Sequence, residues 1–412
     1  MCSQLTEETT SELQRGIAII TPPDGLTQKL KQAEREKRSL IIKLGFDPTA
    51  PDLHIGHAVV LRKMRDFQKA GHKLVIIIGD FTARIGDPTG RNKTRPPLSS
   101  EQVAANAETY LAQLSKVINT DHVEIRFNAE WLAPMQFADV IRLLSRMTVA
   151  QIMQREDFAT RFANGQPISM HEIVYPLLQG HDSLAIKADI EIGGTDQLFN
   201  CLVGRALQEA EGIEAQTVLS MPLLVGLDGV EKMSKSKNNI IGLTEPPRDM
   251  FGKAMSISDK LMPDYLDLAT DFSAKKVAAL KQGLHDGSLH PMNVKKLIAA
   301  NIVAQYHGDE AAEEAASFFS AQIQGQDVSL KEHEPLPARD VFGKRESLPL
   351  LVLCSKIDPQ KSGAELRRLI ASGAVSVNGE KVTEAALEVA RPAQSPLYIK
   401  IGKRGYYAIV AE

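Results

Sequence analysis

Residues 40–78 place the tightest limit on what this chain can fold into. Leu40–Leu44 is a short apolar run closed by Gly45, Leu61, Met64 and Phe67 recur at helical spacing between Ile55 and Ala70 before Gly71, and Leu74–Ile78 is strongly β-forming. Strand, loop with helix, then strand is a βαβ unit, and such units build parallel sheets covered by helices. Ligands of these sheets bind beyond the carboxyl ends of the strands, so the connection after Gly45 is where chemistry is expected. Ser99 with Gln102 forms a capping-box pattern that opens a helix through Leu114, and Val123–Phe127 reads as a further buried strand. The alternation continues to about residue 225.

A chain of 412 residues exceeds one compact core, and three domains are expected. The pattern divides into a helical extension at 1–38, an α/β parallel-sheet domain at 39–230, a mobile lysine-rich loop at 231–245 and an all-helical domain at 246–321. The helical assignment rests on the Ala, Lys, Leu and Glu content of that segment. Residues 322–346 read as a linker with Pro335, Pro337 and Gly343, and 347–412 as a small α+β module whose Asn378-Gly379 between β-branched residues signals a hairpin. The longest apolar run near the start, Ile17–Ile20, is too short for a membrane span or signal core, so a cytoplasmic protein is expected. Cys2, Cys201 and Cys354 show no paired ligand spacing, which argues against a disulfide framework or a protein-built metal site. Net charge is −3, yet from Leu348 onward nine basic residues face six acidic ones, a small excess that hints at RNA.

The stretch Gly45-Phe46-Asp47-Pro48-Thr49-Ala50 is poor in helix formers and must lie at the strand end. It leads into His54-Ile55-Gly56-His57, which places Thr49 and His54 toward a polyphosphate and His57 and Gly56 at the opening of a helix whose dipole favours anions. Lys232-Met233-Ser234-Lys235-Ser236, far along the chain, offers cations for a departing pyrophosphate. Neither half suffices alone, because only a fold brings them to one nucleotide. Tyr175, Gln179 and Asp182 fall at i, i+4 and i+7, so a phenol, an amide and a carboxylate project from one face of a helix otherwise rich in Ile, Val and Leu. A buried polar face of that kind needs a polar partner.

Taken together, Gly45–Ala50 running into His54–His57, with the later lysine loop, resembles the class I aminoacyl-tRNA synthetases. More narrowly, Ile85-Gly86-Asp87-Pro88-Thr89-Gly90, Tyr175–Asp182 and Gly193-Gly194-Thr195-Asp196-Gln197 resemble tyrosyl-tRNA synthetases of the bacterial type. The resemblance implies a Rossmann-like catalytic domain, a helical tRNA-binding domain, a C-terminal RNA-binding domain of the ribosomal-protein type, and a homodimer. It further implies L-tyrosine, ATP and tRNA(Tyr) as partners, with Mg2+ accompanying ATP as a counter-ion. By the same resemblance Asp87, Tyr175 and Gln179 would hold the ammonium of tyrosine, Gln197 would lie near its carboxylate, and Asp182 would accept its phenol. Gly45, Asp47, Pro48, His54, Gly56, His57, Gly194, Asp196 and Lys235 would line the nucleotide. Within that set Thr49 and His54 would meet the γ phosphate, His57 and Asp196 the ribose, and Lys232, Lys235, Arg91 and Arg95 the pyrophosphate. One departure stands out: many members carry a second phenol-binding tyrosine where this chain has Lys43. Lys361, Arg367, Arg368 and Lys381 would contact RNA. A nucleotidyltransferase acting on a small metabolite would use the histidines but leave the lysine loop and tail without a role.

Overall fold

The computed structural model describes residues 7–48, 52–88, 99–324, 336–378, 380–393, 396–402 and 405–411. They form two compact units, Met1–Ala316 and Ser317–Glu412, each considered separately.

The first unit opens with α1 (Glu7–Gln14), β1 (Ile19–Thr21) and α2 (Gly25–Glu36), then β2 (Ile41–Phe46), α3 (Ile55–Lys69) and β3 (Lys73–Ile78). Next come α4 (Ser100–Leu114), β4 (Val123–Phe127) and four short helices, α5 (Ala129–Leu132), α6 (Phe137–Leu144), α7 (Val149–Ile152) and α8 (Glu156–Ala163). The sheet is completed by α9 (Met170–Ile186), β5 (Ile190–Gly194), α10 (Leu198–Ala210) and β6 (Thr217–Met221). Its strand order is β1-β6-β5-β2-β3-β4, parallel except for β1 against β6. The chain builds outward from β2 through β3 to β4, and in the opposite direction from β5 to β6. The order therefore reverses between β2 and β5, the crevice where ligands of such sheets sit. The Ser99–Gln102 capping box forms as the sequence indicates, with Ser99 Oγ accepting from Gln102 N at 3.2 Å and Gln102 Oε1 from Ser99 N at 3.0 Å.

Helices α9 and α10 approach very closely across Gly180 and Gly204. A Cβ at Gly180 would lie 3.0 Å from the Gly204 nitrogen, and one at Gly204 would lie 2.8 Å from Ser183 Oγ and 2.9 Å from Gln216 Nε2. That contact seats α9, with Tyr175, Gln179 and Asp182, over the ends of β2 and β5. Helices α11 (Pro247–Met255), α12 (Met262–Leu268), α13 (Ala274–His285), α14 (Pro291–His307) and α15 (Asp309–Gln324) follow the sheet, and the first unit ends within α15.

In the second unit β7 (Leu336–Pro337), α16 (Ala338–Phe342), β8 (Ser347–Pro349), α17 (Leu350–Ile357) and α18 (Gly363–Ala371) precede β9 (Val375–Val377) and β10 (Glu380–Val382), then β11 (Glu388–Ala390), β12 (Leu397–Ile401) and β13 (Gly405–Val410). Strands β9 and β10 pair antiparallel as a hairpin, with Asn378 in the left-handed region at φ 48°.

Two sequence expectations need correction. Residues 1–38 are not purely helical, because the β-branched Ile19–Thr21 adds a strand antiparallel to β6 at the sheet edge. The supposed linker at 322–346 contributes structure at both ends: α15 continues to Gln324, and Ala338 and Phe342, 0% and 1% exposed, sit in the core of the second unit. Proline and charge concealed an apolar trio, Ala338, Val341 and Phe342, spaced along one helical turn.

The close crossing of α9 and α10 predicts that Gly204→Ala lowers unfolding stability by roughly 1–3 kcal/mol through overpacking. Urea denaturation measures it, and an unchanged midpoint would show that this contact has slack.

Candidate active site

The segment carrying the first histidine is pinned on both sides. Ile55 N donates to Ile241 O at 2.9 Å, Leu243 N donates to Leu53 O at 3.1 Å, and His54 bridges to Gly242. His54 is the extended N-cap of α3, and its N–H donates to His57 Nδ1 at 3.3 Å, with the two rings 3.8 Å apart. A side chain on Gly56 would place Cβ 2.9 Å from His54 Nδ1 and 3.5 Å from Met233 Cβ, so glycine lets the imidazole and the lysine loop close over one turn. Burial first, then the charges of His57 and Lys235, push His54 down to about 2, while burial and Lys235 push His57 down to about 4. Both imidazoles are therefore neutral near pH 7, and what they can offer an anion is N–H donation rather than charge.

The lysine loop reaches this turn. Lys235 Nζ bonds the Asp52 carboxylate two residues before His54, and Lys232 Nζ donates to Asp196 Oδ2 at 2.7 Å. The 231–245 segment, expected to be mobile, is tied internally by Asn239, 2% exposed. Asn239 Oδ1 accepts from Ser234 N at 2.8 Å, its carbonyl accepts from Leu227 N at 3.0 Å, and its amide donates to Asp228 Oδ2 at 2.5 Å. Sequence reading missed Asp52 and Asn239. Their signals were slight, an acid beside the histidine run and an asparagine in a polar loop.

On the other side of the crevice a chain of hydrogen bonds links five elements. Trp131 Nε1 donates to Asp182 Oδ1 at 2.8 Å, and Asn128 Nδ2 bridges Asp182 Oδ2 at 3.4 Å and Thr82 Oγ1 at 2.9 Å. Thr82 Oγ1 in turn donates to Asp47 Oδ1 at 2.7 Å, and Tyr175 OH donates to Asp47 Oδ2 at 2.7 Å. Asp47, expected among the residues lining the nucleotide, has both carboxylate oxygens engaged, by Thr82 and Tyr175. A second cluster joins Asp87, Gln197, Asn200 and Gln179: Gln197 Nε2 donates to Asp87 Oδ2 at 2.8 Å, and Asn200 Nδ2 donates to Gln179 Oε1 at 2.9 Å and Gln197 Oε1 at 3.2 Å. Arg155 closes it, 3.7 Å from Asp87 Oδ1 and 3.2 Å from Asn200 Oδ1. Asn128, Trp131, Arg155 and Asn200 were missed because each stands alone in sequence and only the fold assembles them.

Asp182 is 3% exposed, and burial pushes it up to about 7 against the lowering effect of Lys43, Trp131 and Asn128. Burial likewise raises Asp47 to about 7, with Thr82 and Tyr175 opposing and Asp87 and Asp182 adding. The arrangement is an acidic, largely buried cluster beside a turn of neutral N–H donors and two lysines, suited to an amino acid on one side and a polyphosphate on the other. Gly45 lies exposed at the end of β2 with open space on its Cβ side, Pro48 is buried with its carbonyl accepting from Asn106, and a Cβ on Gly194 would lie 2.7 Å from Asp196 Oδ1. Thr49, Arg91 and Arg95 lie outside the described residues. In the second unit Arg367, Arg368 and Lys381 are exposed, while Lys361 Nζ lies 2.5 Å from Asp358. No helix among the described residues is long and apolar enough to cross a membrane.

Comparison with known proteins bears on both units. Residues 35–324 match the model of class I tRNA synthetases of the tryptophan and tyrosine type, and residues 348–391 match the S4 domain. A tyrosine–tRNA ligase 2 of Photorhabdus laumondii is 56% identical over 375 residues, covering 91% of this chain and 93% of that protein. The tyrosine–tRNA ligase of Carboxydothermus hydrogenoformans is 47% identical over 402 residues, covering 97% of each. Among solved structures, tyrosyl-tRNA synthetase complexed with L-tyrosine from Archaeoglobus fulgidus superposes with a TM-score of 0.61 at 20% identity, covering 75% of this chain and 99% of that one. At that identity the likeness is one of fold.

The two raised carboxyls carry a pH signature. Each is protonated in the fold but ionised in the unfolded chain between about pH 4 and pH 7, so the stability it contributes is present in full at low pH and is lost as pH rises through 7. Asp182→Asn removes one such group. Thermal unfolding without substrates should shift in the variant's favour between about pH 5 and pH 8, and a constant difference between variant and parent would contradict the assigned burial.

Proposed function

This chain belongs to the class I tRNA synthetases of the tryptophan and tyrosine type and is a tyrosine–tRNA ligase, and from that premise we propose how its own residues divide the work. The enzyme activates L-tyrosine with ATP to tyrosyl-adenylate and pyrophosphate, then transfers tyrosine to the terminal adenosine of tRNA(Tyr). The single observation carrying the assignment of roles is the meeting, at one sheet crevice, of the His54–His57 turn, Lys232 and Lys235, and the buried face of α9.

In the proposed division Asp87, Tyr175 and Gln179 receive the ammonium of tyrosine, Gln197 lies by its carboxylate, and Asp182 accepts its phenol. The Tyr175 hydroxyl already donates to Asp47, so its remaining lone pairs are turned to an incoming donor. A substrate lacking the hydroxyl would leave a buried carboxylate without one of its partners, which costs more than the lost contact alone. Tyrosine's carboxylate is ionised at neutral pH and attacks the α phosphorus without a general base, so catalysis consists of positioning and charge neutralisation. Backbone at Gly45, Pro48 and Gly194 borders the nucleotide with Asp196 at the ribose. Thr49 and the neutral donors of His54 and His57 meet phosphate and ribose oxygens, while Lys232, Lys235, Arg91 and Arg95 take the pyrophosphate as it separates. To do so the two lysines must exchange Asp196 and Asp52 for phosphate, which is a local rearrangement of the loop. Magnesium would accompany ATP as a counter-ion and neutralise part of its phosphate charge.

The proposal extends to assembly and RNA. Phe137 on α6, Phe162 on α8 and Met170 at the start of α9 are 79%, 73% and 74% exposed, and these large apolar side chains support the homodimer reading, in which a second copy of the chain covers them. Arg367 and Arg368 on α18, with Lys381 on β10 and Lys361, give the second unit a basic surface for tRNA backbone. The 246–321 helices are assigned a tRNA-binding role. The cytoplasm, where ATP and tRNA are supplied, is the proposed compartment.

Exchange of labelled pyrophosphate into ATP tests the pocket. Tyrosine but not phenylalanine should support it, and Asp182→Ala should remove most of it; comparable exchange with phenylalanine would refute the pocket. Lys235→Ala should slow adenylate formation on the order of 10²-fold with tyrosine affinity unchanged, as expected for a charge used only at the transition state. Equal single-turnover rates would remove the loop from the mechanism.

A further inference from the structure

Lys43 is the most deeply buried cation of the amino-acid side, 0% exposed on β2. It stands opposite Glu191 in the parallel β2/β5 register, and Glu191 is itself 2% exposed. The Lys43 ammonium uses all three of its donors: Glu191 Oε1 at 2.8 Å, Ser183 Oγ at 2.7 Å and the Gln179 carbonyl at 3.2 Å. Two of those three acceptors lie on α9, and in sequence they bracket Asp182. Glu191 is satisfied in turn by Ser183 Oγ at 3.0 Å and by Gln216 Nε2. A buried ion pair of this kind is poor value as pure stabilisation, since apolar replacements of similar size commonly serve as well. Its position suggests a different use.

We propose that Lys43, paired with Glu191, is a positioning and specificity-determining residue for the amino-acid pocket: it clamps α9 at Gln179 and Ser183, on either side of Asp182, and sets the charge around the carboxyl that receives a phenol. This inference rests on the assignment of Asp182 to the phenol. The charged and titratable groups around Asp182 are Lys43 from β2, Glu191 from β5, Asp47 from the turn after β2 and Tyr175 on its own helix, with Trp131 and Asn128 as neutral donors. Of these Lys43 is the one positive charge, and its effect on Asp182 exceeds the opposing effect of Glu191. The pocket thus gathers several carboxylates around one buried ammonium, and removing that ammonium while leaving the rest should favour the protonated, donor-bearing form of Asp182. A protonated Asp182 can still hydrogen-bond but no longer offers the phenol an anion, so tyrosine binding weakens toward acid.

The test is the pH profile of tyrosine-dependent pyrophosphate exchange from about pH 6 to pH 9 in the full-length enzyme. Lys43→Met combined with Glu191→Gln avoids stranding a buried charge. It should move the acidic limb of kcat/KM for tyrosine upward by about one pH unit, raising KM for tyrosine about fivefold near pH 7 while recovering above it, with KM for ATP unchanged. Glu191→Gln alone keeps Lys43 and should move the limb the opposite way, toward lower pH, which decides the matter if the double variant fails to fold. A limb that stays in place in Glu191→Gln, or a pH-independent loss in the double variant, overturns the proposal. Asp182→Asn separates this from failure of the underlying assignment: if that variant retains the parental tyrosine dependence, the phenol site itself is misplaced.

Discussion

A carboxylate taken almost wholly out of water must be compensated, and Asp182 at the floor of the crevice organises much of the structure around that requirement. Trp131 and Asn128 reach it from beyond β4, Lys43 underlies it from β2, and the close Gly180–Gly204 crossing holds its helix down. The bond chain continues through Thr82 and Asp47 to Tyr175, so a change at one end of the amino-acid side is felt at the other. Asp182 retains capacity for one more donor, and tyrosine's phenol is the donor the proposed function supplies.

The His54–His57 turn and the lysine loop meet the opposite problem, holding cationic and N–H groups close together. Asp52 and Asp196 pair with Lys235 and Lys232, and the histidines are kept neutral by burial and by the neighbouring lysine. Neutral imidazoles beside Lys235 avoid mutual repulsion.

Much of this was legible in sequence. The βαβ period, the Ser99–Gln102 cap and the Asn378 turn are local signals, and local propensity agrees with the fold at each. The α9 face was readable because i, i+4, i+7 spacing is independent of tertiary context. What escaped was contributed singly: Trp131, Asn128, Asp52 and Asn239 carry no periodicity, and their meaning exists only across 50 or more residues of separation or within a loop's own hydrogen bonds. The β1 edge strand and the buried Ala338–Phe342 turn were lost for a related reason, since short segments give too few residues for a period to show. Lys43 was noticed as a substitution, but its pairing with Glu191 depends on sheet register.

The most direct measurement of the central claim is a crystal structure of the enzyme with a non-hydrolysable tyrosyl-adenylate analogue. The account predicts the phenol oxygen within hydrogen-bond distance of Asp182 and the phosphate between the His54–His57 turn and the lysine loop. A phenol directed away from Asp182, or a phosphate beyond reach of both histidines, would contradict it.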